Sequence, residues 1–245
     1  MLALKRKHQW LVISMQTKLF ECGPTLSTVE RSEWIRSNRL SEMLETYQWP
    51  GAVIVLDTET TGLHPFGSAN FDQDNYFEED ADDMLQLSII DAKDGSRIYD
   101  QYYWPKHSKA WPQAEAVNHI SPAMVRDMPS FVQERETVQE ILDKARVIIG
   151  YNISFDLGFL EAAGCNYSRT KYLIDVMDDY AAHVHDKPDW AEDWTWQKLT
   201  EAAEQTHYQW AGEAHNSLQD CLATLHVCRW LEKHPQEMLK WALWY

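Results

Sequence analysis

Basic side chains are scarce in this chain. Its 245 residues hold 22 Lys and Arg against 38 Asp and Glu, a formal net charge of −16. Such a surface is a poor non-specific binder of duplex nucleic acid, because backbone affinity comes largely from Lys and Arg displacing counterions. If the substrate is nucleic acid, it should be gripped locally, at an end and through metal. Cysteine is also sparse: Cys22, Cys165, Cys221 and Cys228 form no Cys-x-x-Cys pair. In a helix, Cys221 and Cys228 lie two turns apart, about 10 Å by the helix rise, which is beyond disulfide reach. Reduced, packed thiols are expected. No uninterrupted apolar segment approaches a bilayer span. The basic start "MLALKRKHQWLVISMQ" has too short and broken an apolar part for a secretory signal. The expectation is a cytoplasmic protein with no membrane partner.

What is present begins with residues 1–50, which carry +2 while the remainder carries −18. Ser27-x-x-Glu30 has the form of a capping box. Apolar residues from Val29 to Leu44 recur loosely at helical spacing, and Pro50-Gly51 punctuates before the first strand. This predicts a partly helical N-terminal extension, residues 1–50, that packs on the main domain or on a protein partner. Residues 51–245 then read as one domain. A buried strand "AVIVLDTET" is followed by an acidic insertion at about 66–83. Next come the strands "MLQLSIIDA" and "RIYDQYYWP", joined at Asp94-Gly95 as a hairpin. Helical segments around "PQAEAVNHI" and "PSFVQERETVQEILDKA", with a Ser130 cap, precede a strand "RVIIGYN". A helix "SFDLGFLEAAG" closed by Gly164 comes next, and "WQKLTEAAEQT" and "NSLQDCLATLHVCRWLEKH" complete the order. Strands first, then strands alternating with helices, indicate an α/β layered domain with a mixed sheet.

Chemistry concentrates at three places where an acid abuts packed sequence. Asp57 and Glu59 end the first strand, two apart and so on one face. Like charges there raise each other's ionisation cost and lose water besides, a cost that a divalent cation would offset. Asp156 lies in the first turn of a helix after Asn152. Asp220 lies one turn inside the last helix, at the tip of the stripe Ala223, Val227 and Trp230, with His215 just before that helix. Taken singly these are a solvated strand end, two helix-start acids favoured by the helix dipole and a loop histidine. Those readings leave the ordered pattern of five unexplained.

In order, Asp57-x-Glu59, Asn152-x-x-Phe155-Asp156 and His215-x-Ser217-x-x-Asp220 resemble the motifs of the DEDDh (DnaQ-like) 3′–5′ exonucleases. The resemblance covers residues 52–232, with Val117-Asn118-His119-Ile120-Ser121 similar to a further family segment. It implies a ribonuclease H-like mixed β-sheet flanked by helices. It also implies that Asp57, Glu59, Asp156 and Asp220 hold two Mg²⁺ or Mn²⁺ ions, which favour oxygen donors and in pairs about 4 Å apart stabilise the entering and leaving oxygens. His215 would be the general base, able to swing in from ahead of its helix, with a pKa pushed upward by the neighbouring carboxylates. Thr60, Leu63, Asn152 and Phe155 would grip the last nucleotide. Three departures bear on substrate choice: His119 stands where the family usually has Gly, Gln86 where many members have Glu, and the loop between the first two strands is unusually long and acidic.

The expected activity is hydrolysis from the 3′ end of single-stranded or frayed DNA, releasing nucleoside 5′-monophosphates in replication or repair. A 3′–5′ exoribonuclease acting on short RNA or RNA tails is the alternative. A third reading is an interaction module of a polymerase or nuclease complex with vestigial catalysis. The insertion "FDQDNYFEEDADD" lacks the Gly of an EF-hand loop and reads as a solvated acidic loop. Trp190, Trp194 and Trp196 offer base-stacking surfaces, although packing accounts for most of the 12 Trp.

Overall fold

The computed structural model describes residues 40–67, 81–184, 195–212 and 214–234, within one compact unit that spans Leu40–Gln236. The expected capping box at Ser27, the basic Lys5–Lys7, Cys22, Trp190, Trp194 and most of the acidic insertion lie outside the described residues. Five strands form the sheet: β1 (Val53–Thr60), β2 (Met84–Asp91), β3 (Arg97–Tyr102), β4 (Val147–Gly150) and β5 (Tyr172–Asp175). Their order is β3-β2-β1-β4-β5. The β1–β2 and β2–β3 pairs are antiparallel, and the β1–β4 and β4–β5 pairs are parallel. The Lys93-Asp94-Gly95 turn joins β2 to β3 as the hairpin signal predicts, with Gly95 at a positive φ.

Alternation along β1 sorts the helices onto two faces. Val53 and Val55 pack with Val147, Ile149 and the buried side of the last helix, through Cys221 and Leu225. Ile54 and Leu56 point the other way, into Val138, Leu142, Leu157 and Leu160. With both faces covered, β1 must be apolar throughout, which is why "AVIVL" shows no polar alternation.

The helices are α1 (Leu40–Thr46), α2 (Pro112–Asn118), α3 (Pro122–Val125), α4 (Phe131–Lys144), α5 (Ile153–Ala162), α6 (Val176–Val184), α7 (Leu199–Gln205) and α8 (Ser217–Lys233). Ser130 caps α4 as expected, its N–H donating to the Gln133 side chain at 2.9 Å. Leu40 and Met43 of α1 are buried in the α8-side core, and Ser41 hydrogen-bonds Glu232. Residues 40–46, expected within the N-terminal extension, thus belong to the packed unit. None of the helices in the described residues is long and apolar enough to cross a membrane.

Two glycines allow close approaches near the sheet's open end. A Cβ at Gly150, where β4 ends, would collide with Ile153 at the start of α5. A Cβ at Gly62 would collide with the Asp82 carboxylate, which accepts from His64 N at 2.9 Å and so pins the turn after β1.

Candidate active site

The face of β1 that packs α8 is apolar at Val53 and Val55 and then turns acidic at Asp57 and Glu59. Helix α8 begins at this level, so Asp220, in its first turn, meets the two strand acids. Carboxylate oxygens of Asp57, Glu59 and Asp220 lie within 4.8 Å of one another. This is the carboxyl end of β1, where the sheet switches between antiparallel and parallel neighbours and where open α/β sheets commonly bind ligands.

Asp156 comes from α5, on the opposite side of the sheet. It is buried, and its Oδ1 accepts from Thr58 N at 2.9 Å and Thr58 Oγ1 at 2.7 Å. Three of the four expected acids thus share one tight cluster, with Asp156 held beside them by the residue between Asp57 and Glu59. Asp156 remains the charged neighbour with the largest effect on Asp57.

No Lys or Arg forms an ion pair with any of the four acids among the described residues. Burial, then Asp156, Asp220 and Glu59, push Asp57 well above the usual carboxylate range. Glu59 is raised to about 8 by burial and by Asp220 and Asp156, against an Asn118 hydrogen bond that lowers it. Asp156 and Asp220 are each raised to about 7, chiefly by burial, despite the hydrogen bonds from Thr58 and from the His215 backbone. Unpaired oxygen donors at such a density fit one or more hard divalent cations, whose binding would displace these protons.

His215 lies on the rim, exposed, with φ +62, and its backbone N–H donates to Asp220 Oδ1 at 3.3 Å. Its pKa is lowered, not raised as expected: partial burial comes first, then the charges of His119 and Lys198. A cleft of about 350 Å³ opens beside it, lined among others by Tyr102, Asn118, His119, His215 and Gln219.

The four expected substrate contacts fall in different settings. Leu63 is 71% exposed in the turn after β1, an apolar side chain held out from the fold. Thr60 is buried; its Oγ1 donates to Gly62 O at 2.6 Å, and its carbonyl accepts from Asn118 Nδ2 at 3.1 Å. Asn152 adopts φ +63, and its N–H donates to Asp175 Oδ1 at 2.9 Å. Asp175 also accepts from Ile153 N and so caps α5, the helix that carries Asp156. Phe155 packs partly into the core, 5.0 Å from Phe159. Of the stacking candidates, Trp196 is the one described, and its indole N–H is taken by Asp178 Oδ1 at 2.9 Å.

Asn118, Thr58 and Asp175 do not stand out as site residues in the sequence. Only Asn118 carries a signal there, as part of the "VNHIS" segment. His119 holds φ +58 as the C-cap of α2, which explains why glycine suits that position. Three of the four non-glycine residues with positive φ among the described residues, His119, Asn152 and His215, border this site. Such strain concentrates where geometry serves function.

A family model for exonucleases, RNase_T, matches residues 54–228. The chain is 30% identical over 137 residues to the DNA polymerase III subunit epsilon of Pasteurella multocida (strain Pm70), across 56% of this chain and 49% of that protein. It is 27% identical over 197 residues to RNA exonuclease 4 of Mycosarcoma maydis, across 78% of this chain and 45% of that protein. The chain thus spans about half the length of these two relatives. Among solved structures, S. pombe Pop2p in its Mg²⁺- and Mn²⁺-bound form is similar at a TM-score of 0.54 and 12% identity, covering 80% of this chain and 87% of that one. The RNase domain of the yeast Pop2 protein is similar at 0.52 and 16%, covering 81% and 84%. Those two likenesses bear on the fold, a ribonuclease H-like mixed sheet flanked by helices. With the family match spanning most of the chain and the acids of its ordered motifs gathered at one strand end, the protein belongs to the exonuclease family.

Proposed function

We propose that this protein is a metal-dependent 3′–5′ exonuclease that hydrolyses single-stranded or frayed DNA ends to nucleoside 5′-monophosphates. The observation that carries the reading is the meeting of Asp57, Glu59 and Asp220 within 4.8 Å, with no counter-charge among the described residues. Asp57, Glu59, Asp156 and Asp220 would hold two Mg²⁺ or Mn²⁺ ions. Such ions supply Lewis acidity at phosphate oxygens when bound. His215, kept neutral by its lowered pKa, accepts the proton of the attacking water at an imidazole nitrogen. The water oxygen bonds to phosphorus as the P–O3′ bond breaks, and the leaving 3′-oxygen takes a proton from solvent water to become the hydroxyl of the shortened strand. Leu63 packs against the terminal nucleotide, and Thr60 and Asn118 fix the turn that presents it. Asn152 and Phe155 flank the same nucleotide from the start of α5.

The net charge of −16 supports end-gripping over duplex tracking. A second reading, a 3′–5′ exoribonuclease, draws on the similarity to RNA exonuclease 4, which extends over more of this chain than the similarity to the polymerase subunit does. The polymerase subunit's similarity in turn supports a protein partner, with the docking segment proposed within residues 1–50. The deciding experiment is digestion of sequence-matched 5′-labelled DNA and RNA oligomers in Mn²⁺. Faster loss of DNA from the 3′ end supports the first reading, and faster loss of RNA supports the second. Absence of cleavage of either, in a protein that binds Mn²⁺, leaves the interaction-module reading in place of both.

A further inference from the structure

The acidic face of β1 continues sideways into a polar layer on β2 and β3. Register places Ser88 opposite Asp57 and Gln86 opposite Glu59, and on the next strand Asp100 opposite Ser88 and Tyr102 opposite Gln86. Directly paired residues share a face, so these side chains all point toward the start of α8. Gln86 is 1% exposed. Its Nε2 donates to Asp100 Oδ1 at 2.9 Å, while its Oε1 accepts from Ser217 N at 3.3 Å and Asn216 Nδ2 at 3.4 Å. Ser88 Oγ donates to the same Asp100 oxygen at 3.0 Å and shares a 2.6 Å hydrogen bond with Ser217 Oγ. Asn216 Nδ2 also donates to the Tyr102 hydroxyl at 2.9 Å. The residues so held, Asn216 and Ser217, lie between His215 and Asp220.

We propose that Gln86, braced by Asp100, is the positioning residue that sets the first turn of α8 and thereby places Asp220 against Asp57 and Glu59. The donor and acceptor ends are fixed by chemistry: the Asp100 carboxylate can only accept, and Ser217 N can only donate. An amide satisfies both sides at once whatever the pH, whereas a carboxyl does so only when protonated. A carboxylate at position 86 would still receive Ser217 N but would face the Asp100 carboxylate with no proton between them, and would add a charge opposite Glu59. In this chain the acid of the layer sits on β3, as Asp100, beside Arg97 at 3.6 Å.

The catalytic consequence rests on the proposed exonuclease reading, but the geometric claim does not. The test uses the full chain and four variants: Gln86→Glu, Asp100→Ala, the double exchange of Gln86→Glu with Asp100→Asn, and Asp57→Asn as a reference. Calorimetric Mn²⁺ affinity and thermal stability are measured with kcat and KM on a single-stranded oligonucleotide. Residues that orient metal ligands typically contribute 10- to 100-fold in affinity or activity. Gln86→Glu is therefore expected to weaken Mn²⁺ binding and lower kcat by about tenfold, with KM within twofold. The double exchange restores most of both, because the amide introduced at position 100 can then donate to the carboxylate introduced at position 86. Asp100→Ala, at a partly exposed and more tolerant position, moves both in the same direction should Gln86→Glu not fold. Mn²⁺ affinity within twofold of wild type in folded Gln86→Glu or Asp100→Ala overturns the proposal, as does a double exchange no better than Gln86→Glu alone. If these variants behave as wild type while Asp57→Asn is inactive, the positioning role fails and the exonuclease reading stands. If the wild type cleaves nothing, the Mn²⁺ affinities still decide the positioning role.

Discussion

Replacing Asp57 by Asn should make the metal-free protein more stable and the enzyme inactive. Asp57 is ringed by Glu59, Asp220 and Asp156, each of which raises its pKa along with burial. Two unit charges 4.8 Å apart repel by roughly 3.5 kcal/mol at an effective dielectric of 20. Partial protonation of the cluster and the cost of burying an amide reduce that, so a net gain of about 1–3 kcal/mol is expected near pH 8. At about 2–4 °C per kcal/mol for a domain of this size, the melting temperature in EDTA should rise by roughly 2–12 °C. Wild type should gain stability on addition of Mn²⁺ and the variant should gain much less, since a ligand that binds only the folded state stabilises by mass action. Loss of a metal-holding carboxylate should lower kcat by on the order of 10³, equivalent to about 4 kcal/mol of transition-state stabilisation. Thermal melts with and without Mn²⁺, paired with a gel assay on a 5′-labelled oligonucleotide, measure both effects. The reasoning is refuted if Asp57→Asn melts below wild type in EDTA and keeps the full Mn²⁺ response, or digests at the wild-type rate.

Stability without metal should fall as pH rises. A carboxyl raised in the fold favours folding below its unfolded pKa, and that advantage is lost as pH climbs through the folded value. The window here runs from about 3.9 for an unfolded Asp and about 4.3 for an unfolded Glu to the folded values of about 7 for Asp156 and Asp220 and about 8 for Glu59. Melts in EDTA from pH 5 to 8 should show the decline, and saturating Mn²⁺ should flatten it; a flat EDTA profile counts against the cluster. The His215 limb of the activity profile should lie on the acid side of its ordinary value near 6.5, because its pKa is lowered. With saturating Mn²⁺ and chemistry rate-limiting, an inflection above 7 that disappears in His215→Gln would contradict this. His119→Gly should relieve a left-handed backbone strain of about 1 kcal/mol, raising the melting temperature by about 2–4 °C. A lower melting temperature would mean that the His119 side chain contributes packing beyond its exposed position.

The sequence by itself determined the strand that matters and the acids it presents. A run of five apolar residues bounded by turn residues and ending in Asp-x-Glu reads as a doubly covered strand whose end turns polar on one face, because side chains alternate with a period of two. Asp220 was legible for a similar reason, since the buried stripe of α8 runs up to it at helical spacing. What tertiary structure alone decided concerns residues brought together by pairing and register. Gln86 faces Glu59, and Asp100 faces Ser88, only because β2 and β3 pair in the register they do. Asp156 reaches Thr58 from the far face of the sheet, a meeting that no local spacing encodes. The direction of the His215 shift also waited on the fold. It comes from partial burial first, then from the charges of His119 at the end of α2 and Lys198 ahead of α7, residues far apart in the sequence.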